Sequence, residues 1–321
     1  MKRLLISAIF MAVVLSFAAA PDARAWGCEG HQTIALIAKM NLDPRALAMV
    51  LQILQDNPID PKMSRFCQPV SKDLMADAAN WADDYRNIHK ENTGWHFIDI
   101  PRGAGRQKIG QYCPASTSCI TAALAAQIAI LKSTDSDSAQ KADALRFVIH
   151  FVGDIHQPLH TTNNNDKGGH CIPVSYPDEP TKDTKPDVGD YYPELHTAWD
   201  SGMIYRIAQG KTVDQFAAEL NQQFQSKIKT WQREGLIFDE WAWESHQLAE
   251  KVAYGDLPVA VPIEKPVAVS ECTDDNHISD RMAKLNEVLG PDYLNAVTPV
   301  IEEQLAKAGI RLSMILNQIW P

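Results

Sequence analysis

The sequence predicts an all-α protein: a single compact helical domain, disulfide-stapled, with long irregular loops. Three observations carry this. Apolar residues recur at helical spacing over most of residues 26–321, no run of alternating strands is visible, and no internal repeat or low-complexity linker divides the chain. A length of 321 residues would allow two domains, yet the helical pattern runs through without a break in composition.

In chain order, residues 30–40 are apolar on one face. Asp43 and Pro44 read as a cap followed by proline at the first helical position, opening a helix to about Gln55. Residues 71–89 read as one long helix with few breakers, and 120–132 are rich in Ala, Ile and Leu. Residues 138–157 are strongly apolar and stop at Pro158, whose ring and missing N–H end a helix. Helices over 194–208, 213–233, 239–253, 279–289 and 293–318 follow. Two segments interrupt them. Residues 96–118 hold Gly, Pro and two cysteines and read as a surface excursion. Residues 163–193 hold five prolines and Gly168-Gly169, so they are not helical throughout, and 174–176 are the best candidate for a short strand. A loop of this length in a compact domain is often functional.

The first 25 residues read as an export signal. Lys2 and Arg3 precede an apolar stretch over 4–20, and Ala23-Arg24-Ala25 offers the small residues of a cleavage site. Cleavage after Ala25 would leave Trp26 as the mature N-terminus and residues 26–321 as the folded domain. The alternative, a retained membrane anchor, sits poorly with that cleavage site. Export suits the six cysteines (Cys28, Cys67, Cys113, Cys119, Cys171 and Cys272), whose even number in an oxidising compartment reads as three disulfides. Cys113 and Cys119 close a short loop, and the remaining pairs are expected to be Cys28–Cys67 and Cys171–Cys272. Zinc ligation by cysteine, the competing reading, has no C-x-x-C spacing behind it.

Apolar residues make up 45% and charged residues 22%, which excludes disorder as the main state. The formal charge of −10 becomes −12 once Lys2, Arg3, Asp22 and Arg24 are removed. That balance argues against a broad basic face gripping nucleic acid. It leaves open an enzyme that holds phosphate through bound metal ions, and ten histidines are the first hint of metal chemistry.

Five stretches place His and Asp at ligand-like spacings: Trp26-Gly27-Cys28-Glu29-Gly30-His31, Trp81-Ala82-Asp83-Asp84-Tyr85-Arg86, Trp95-His96-Phe97-Ile98-Asp99, His150 through His160, and Glu194 through Asp200. His150 and Asp154 are four residues apart, as are His196 and Asp200, so on a helix each pair shares one face. Imidazole with carboxylate suits zinc. His150 and Asp154 are embedded among Phe147, Val148, Ile149, Phe151, Val152 and Ile155. An unpaired carboxylate buried there would cost several kcal/mol, so it needs a cation or strong hydrogen bonds. A helical salt bridge explains any one such pair well enough, but two pairs together with His160 and His96 make that reading less economical.

Taken together, W-G-x-x-G-H, W-A-D-x-Y-R, H-F-I-D, H-F-x-G-D-x-x-Q-P-L-H and L-H-x-x-W-D resemble the zinc-dependent nuclease family typified by the secreted fungal nucleases S-one and P-one. The match runs from Trp26 to Asp200 in the same order. The resemblance implies an all-α fold of the phospholipase C / P-one nuclease type and a site for three zinc ions. Asp83, His96, His150 and Asp154 would hold one ion. Trp26, through its free α-amine and carbonyl oxygen, would hold a second with His31 and Asp154, which thereby bridges the two. His160, His196 and Asp200 would hold the third. The role of Trp26 would require cleavage, because an amide nitrogen is no ligand.

The same resemblance implies hydrolysis of single-stranded DNA and RNA to 5′-phosphate products, and of 3′-mononucleotides. Water shared by two zinc ions would be the nucleophile, and the third ion would stabilise the departing 3′-oxygen. Asp83 and Asp154 would act through the metal. Arg86 is the candidate for charge on the phosphoryl oxygens, with an i,i+3 salt bridge to Asp83 as its plainer reading. Phe97 and Asp99 match positions that help hold a base. A stacked base has to be unpaired, although Phe97 also reads as core packing. No stable protein partner and no membrane association are expected, the chain should be monomeric, and it should reside in the periplasm or outside the cell.

His156, two residues after Asp154, should point away from the ligand face and be structural. His170 occupies the family's G-G-N region with His in place of Asn. His89, His246 and His277 read as surface residues, and the proline-rich 177–193 stretch either shapes the cleft or is a solvated insertion. Two other readings compete. A zinc phospholipase C shares the fold and an N-terminal Trp, but W-A-D-x-Y-R, H-F-I-D and Q-P-L-H favour the nuclease. A non-catalytic periplasmic zinc-binding protein would use the same ligands without Arg86 or a base pocket.

Overall fold

The computed structural model describes residues 26–106, 109–113, 119–177, 193–263 and 287–321. Over these residues the chain forms α1 (Cys28–Met40), α2 (Pro44–Asp56), α3 (Leu74–Ala78), α4 (Trp81–Ile88), α5 (Ile120–Lys132), α6 (Ser138–Asp154), α7 (Leu195–Thr197), α8 (Met203–Ile207), α9 (Val213–Gln223), α10 (Ile228–Arg233), α11 (Phe238–Leu248) and α12 (Pro291–Ile319). A two-stranded parallel sheet pairs β1 (Val174–Ser175) with β2 (Glu287–Val288), Val174 opposite Glu287.

Local chemistry sets several starts. Asp137 accepts from the Gln140 backbone N–H at 2.8 Å and Gln140 returns a bond to the Asp137 N–H at 2.9 Å, a reciprocal cap that opens α6. Thr212 and Gln215 do the same for α9. Asp73 accepts from the Met75 and Ala76 N–H groups to open α3. Pro44 takes the first position of α2 as expected, whereas the Asp43 side chain makes no capping bond.

Helix α1 lies at the centre and packs on α12, α9, α3 and α6, while α5 and α4 also pack on α6. From Ala144 to Asp154 every residue of α6 is buried. A helix buried all round carries ionisable residues only where something compensates them. His150 and Asp154 sit in this stretch, so the core itself positions the site.

The departures from the sequence expectation are informative. The helix expected over 71–89 is two helices, because the chain turns at Ala79 and Asn80, and the Ala79 carbonyl is bonded by the His150 ring. The helix expected over 194–208 widens into a π turn over Ala198–Gly202 that carries Asp200, and a second π turn, Ala249–Ala253, extends α11. The 213–233 helix is interrupted by a 3-10 turn at Gln225–Lys227. In the helix expected over 279–289, Glu287 and Val288 are instead strand, held by pairing to β1. The 96–118 excursion begins inside the molecule: His96, Ile98 and Ile100 are buried, and the Ile98 N–H donates to the His160 carbonyl at 2.9 Å.

Cys28–Cys67 and Cys113–Cys119 are disulfides, as expected. Cys171 is also disulfide-bonded, and its expected partner Cys272 lies outside the described residues. So do residues 1–25, His277 and most of the 177–193 stretch. Among the described residues no helix is long and apolar enough to cross a membrane.

Candidate metal centre

Of the nine residues expected as ligands, eight come from seven elements and the ninth, Trp26, lies just ahead of the first. Trp26 precedes α1 and His31 lies on it. Asp83 is on α4, His96 ends the 3-10 turn Lys90–His96, and His150 and Asp154 close α6. His160 sits in the 3-10 turn Pro158–Thr161, His196 on α7 and Asp200 in the π turn. None of the nine is more than 6% exposed.

All but Trp26 fall into three groups whose ligand atoms lie within 4.8 Å of one another: His31, Asp83 and His150; His96, His150 and Asp154; and His160, His196 and Asp200. Asp154 faces two sides at once. Its Oδ1 is 3.2 Å from His31 Nε2, and its Oδ2 is 2.9 Å from His96 Nδ1 and 3.2 Å from His150 Nε2. Asp83 Oδ1 is 3.7 Å from His150 Nε2. The His31 and His150 rings stack at 3.9 Å. Gly153 makes room for this, since a Cβ there would lie 2.7 Å from His31 Nδ1. The Gly27 N–H donates to the Asp200 carbonyl at 2.6 Å, which brings the Trp26 end of the domain against the third group.

Backbone carbonyls orient three of the imidazoles. Nδ1–H of His150 donates to Ala79 O, that of His160 to His96 O, and that of His196 to Gly168 O, each at 2.7 Å. Gly168 holds its carbonyl there from a left-handed backbone, φ 63°, where a Cβ would lie 2.5 Å from Leu159 O. With Nδ1 carrying the proton, Nε2 of each neutral ring is a bare lone pair. His160 Nε2 and His196 Nε2 then face each other at 3.0 Å, lone pair to lone pair. Only a cation or a proton between them makes that arrangement favourable. His96 Nε2 and Asp200 Oδ2 are buried without hydrogen-bond partners, which is rare for buried polar atoms, and Asp83 Oδ1 and Asp154 Oδ1 have ion-pair contacts in place of well-formed hydrogen bonds. Inward-facing imidazole nitrogens and carboxylate oxygens are the donor set of a zinc-type dication.

The third group opens on a cleft of about 510 Å³ lined by Arg86, Phe97, Asp99, Lys90, Lys167 and His170, among others. Arg86 Nη2 lies 3.2 Å from Asp83 Oδ1, so it makes the i,i+3 pair and lines the cleft as well. Phe97 is half-buried, and Asp99 at the rim accepts from Asn163 Nδ2 at 3.0 Å. His170 stacks on the His196 ring at 3.9 Å, its Nδ1 held 2.8 Å from Glu194 Oε1. Sequence reading missed Glu194 as part of the site, although it marks the helix start. The carboxylate also accepts from the Thr197 N–H at 3.2 Å and so caps the helix carrying His196. Lys90 and Lys167 were missed too, since isolated lysines carry no signal of their own.

His156 behaves as expected and points elsewhere: Nδ1–H donates to Val152 O at 2.7 Å and Nε2 accepts from Arg311 at 2.8 Å. His246 does not. It is buried, with Nδ1 2.8 Å from Thr162 Oγ1, because α11 packs against the turn that carries His160.

Burial drives His96 down to about 4 and His160 down to about 3, so both are neutral and ready to ligate at neutral pH. Burial would lower His150 too, but the adjacent Asp154 and Asp83 carboxylates lift it to about 9. Burial raises Asp200 well above the usual carboxylate range. Without metal, then, His150 carries a proton at pH 7 and acts as the counter-charge in the first two groups. That contribution to stability is complete below the unfolded value of about 6.5 and is lost as pH rises through about 9. A metal ion must displace the proton. Titrating metal-free protein with zinc at pH 7 in buffers of different ionisation enthalpy should show net proton release and an affinity that falls on acidification. A heat independent of buffer would contradict the His150 assignment.

A family profile described as S1/P1 nuclease matches residues 26–321. Nuclease S1 of Aspergillus oryzae is 29% identical over 92% of this chain and 91% of its own length. Nuclease P1 of Penicillium citrinum is 27% identical over 92% and 97%, and Endonuclease 2 of Arabidopsis thaliana is 26% identical over 94% and 93%. The chain belongs to the S1/P1 nuclease family and is a hydrolase of phosphodiester bonds.

Proposed function

Within that family, we propose that this chain is an exported, zinc-dependent endonuclease that hydrolyses single-stranded DNA and RNA to 5′-phosphate products and also removes phosphate from 3′-mononucleotides. The observation that carries the reading is the facing pair of bare imidazole nitrogens, His160 and His196, opening beside Asp200 onto a cleft with cations and one aromatic ring on its walls. A zinc-storage protein has no use for that cleft.

Asp83, His96, His150 and Asp154 would hold one zinc ion, Trp26 with His31 and Asp154 a second, and His160, His196 and Asp200 a third. When bound, the ions supply water acidified towards neutrality and offset charge on the phosphate and the departing 3′-oxygen. Arg86 is steered into the cleft by Asp83 and offers its guanidinium to the phosphoryl oxygens. Phe97 offers a ring face and Asp99 a hydrogen-bonding carboxylate to a base. A base stacked on a ring has left its duplex, which accounts for a single-strand preference.

The domain would begin at Trp26 after export to the periplasm or beyond, and act as a monomer. Cleavage turns the amide nitrogen of Trp26 into an amine able to bind metal, so the site is completed only outside the cytoplasm.

Mature protein should degrade heat-denatured DNA, lose this activity in EDTA and regain it with zinc. Zinc-loaded protein inactive on both polynucleotides and 3′-mononucleotides would overturn the assignment. Arg86→Ala should lower kcat about a hundredfold while metal analysis shows an unchanged zinc count. Loss of zinc along with rate would make Arg86 a support of Asp83 only. The mature chain should carry three zinc ions, and a version with Met ahead of Trp26 about two. Equal counts would remove Trp26 from the ligand set.

A further inference from the structure

Gln157 is fully buried between the end of α6 and the turn that carries His160. Its two amide atoms go to different places. Oε1 accepts from the Leu159 N–H at 2.6 Å, capping the 3-10 turn Pro158–Thr161, where Pro158 offers no N–H. Nε2 donates to Asp200 Oδ1 at 2.6 Å. The amide fits only this way round, because Leu159 supplies a donor and Asp200 an acceptor. With Oδ1 of Asp200 engaged, Oδ2 is the oxygen left without a hydrogen-bond partner, and it stands 3.4 Å from His196 Nε2. The His160 N–H is tied to the Gln157 carbonyl at 3.0 Å. A single residue therefore holds members of the third group that come from separate parts of the chain.

We infer that Gln157 is a positioning residue for the His160, His196 and Asp200 group. Its amide selects Oδ2 of Asp200 as the free oxygen and sets the turn of His160, so that the ligand atoms converge before an ion arrives. This rests on the reading that the third group holds zinc. Two charged neighbours serve other ends: Glu194 caps the His196 helix and holds His170, and Arg86 pairs with Asp83.

Gln157→Glu separates the two arms. It keeps an oxygen for the Leu159 N–H but sets a second carboxylate oxygen against Asp200. Chelator competition followed by metal analysis should show the affinity for one zinc ion falling about tenfold to a hundredfold, with the other two retained. At limiting zinc, kcat should fall while KM changes little, and excess zinc should restore the rate. A purely structural cap would leave zinc affinity untouched in this variant, because the cap survives. Gln157→Asn, neutral and one methylene shorter, serves at most one of the two partners and should lose the same ion, which guards against a buried Glu that prevents folding. Third-ion affinity unchanged in both variants would overturn the inference. Asp200→Ala run in parallel tests the reading beneath it: if that variant keeps the full zinc count, the third site itself is wrong, and if it loses one ion while both Gln157 variants do not, only the role of Gln157 is wrong.

Discussion

The molecule is organised around buried imidazoles and carboxylates that lack enough partners of their own. Asp83, Asp154 and Asp200 are each at most 2% exposed, and an uncompensated carboxylate in such a place costs several kcal/mol. Part of the compensation comes from His150, lifted to about 9 by the two carboxylates beside it despite its burial. The rest of the cluster keeps lone pairs pointing at one another, a condition that a dication resolves. Much of the surrounding fold can be understood as scaffolding for that electrostatic demand.

The scaffolding is mostly backbone. Ala79, His96 and Gly168 carbonyls hold the Nδ1 protons of His150, His160 and His196 and so leave Nε2 of each ring facing inward. Each of those carbonyls lies where regular helix gives way: the turn between α3 and α4, the end of a 3-10 turn, and a left-handed loop. A carbonyl inside a regular helix is already engaged four residues on, so irregular backbone is what frees one for a side chain. Asp200 likewise sits in a π turn.

The net charge of −10 also acquires a local meaning. Three of the acidic residues behind that figure are drawn into the candidate metal centre, while Arg86, Lys90 and Lys167 line the cleft outside it. An anionic substrate would meet cationic side chains there, beside groups able to hold metal, whatever the sign of the whole surface.

Sequence alone determined the helical class, most helix positions, and the residue types gathered in the candidate metal centre. These follow from local rules: apolar periodicity, caps, proline stops, and i,i+4 spacing that puts His150 with Asp154 and His196 with Asp200 on one face. It failed at 71–89, where a uniform helical pattern hides the turn at Ala79, and at His246, whose burial depends on packing against a turn more than eighty residues away. Tertiary structure alone decided which nitrogen of each ring faces the cluster, which oxygen of Asp200 stays free, and how Asp154 serves two groups. Those outcomes hinge on hydrogen bonds between residues far apart in the chain, such as Gln157 with Asp200 and His160 with the His96 carbonyl. Spacing along the chain can nominate a ligand, but only folding brings the group that turns its lone pair inward.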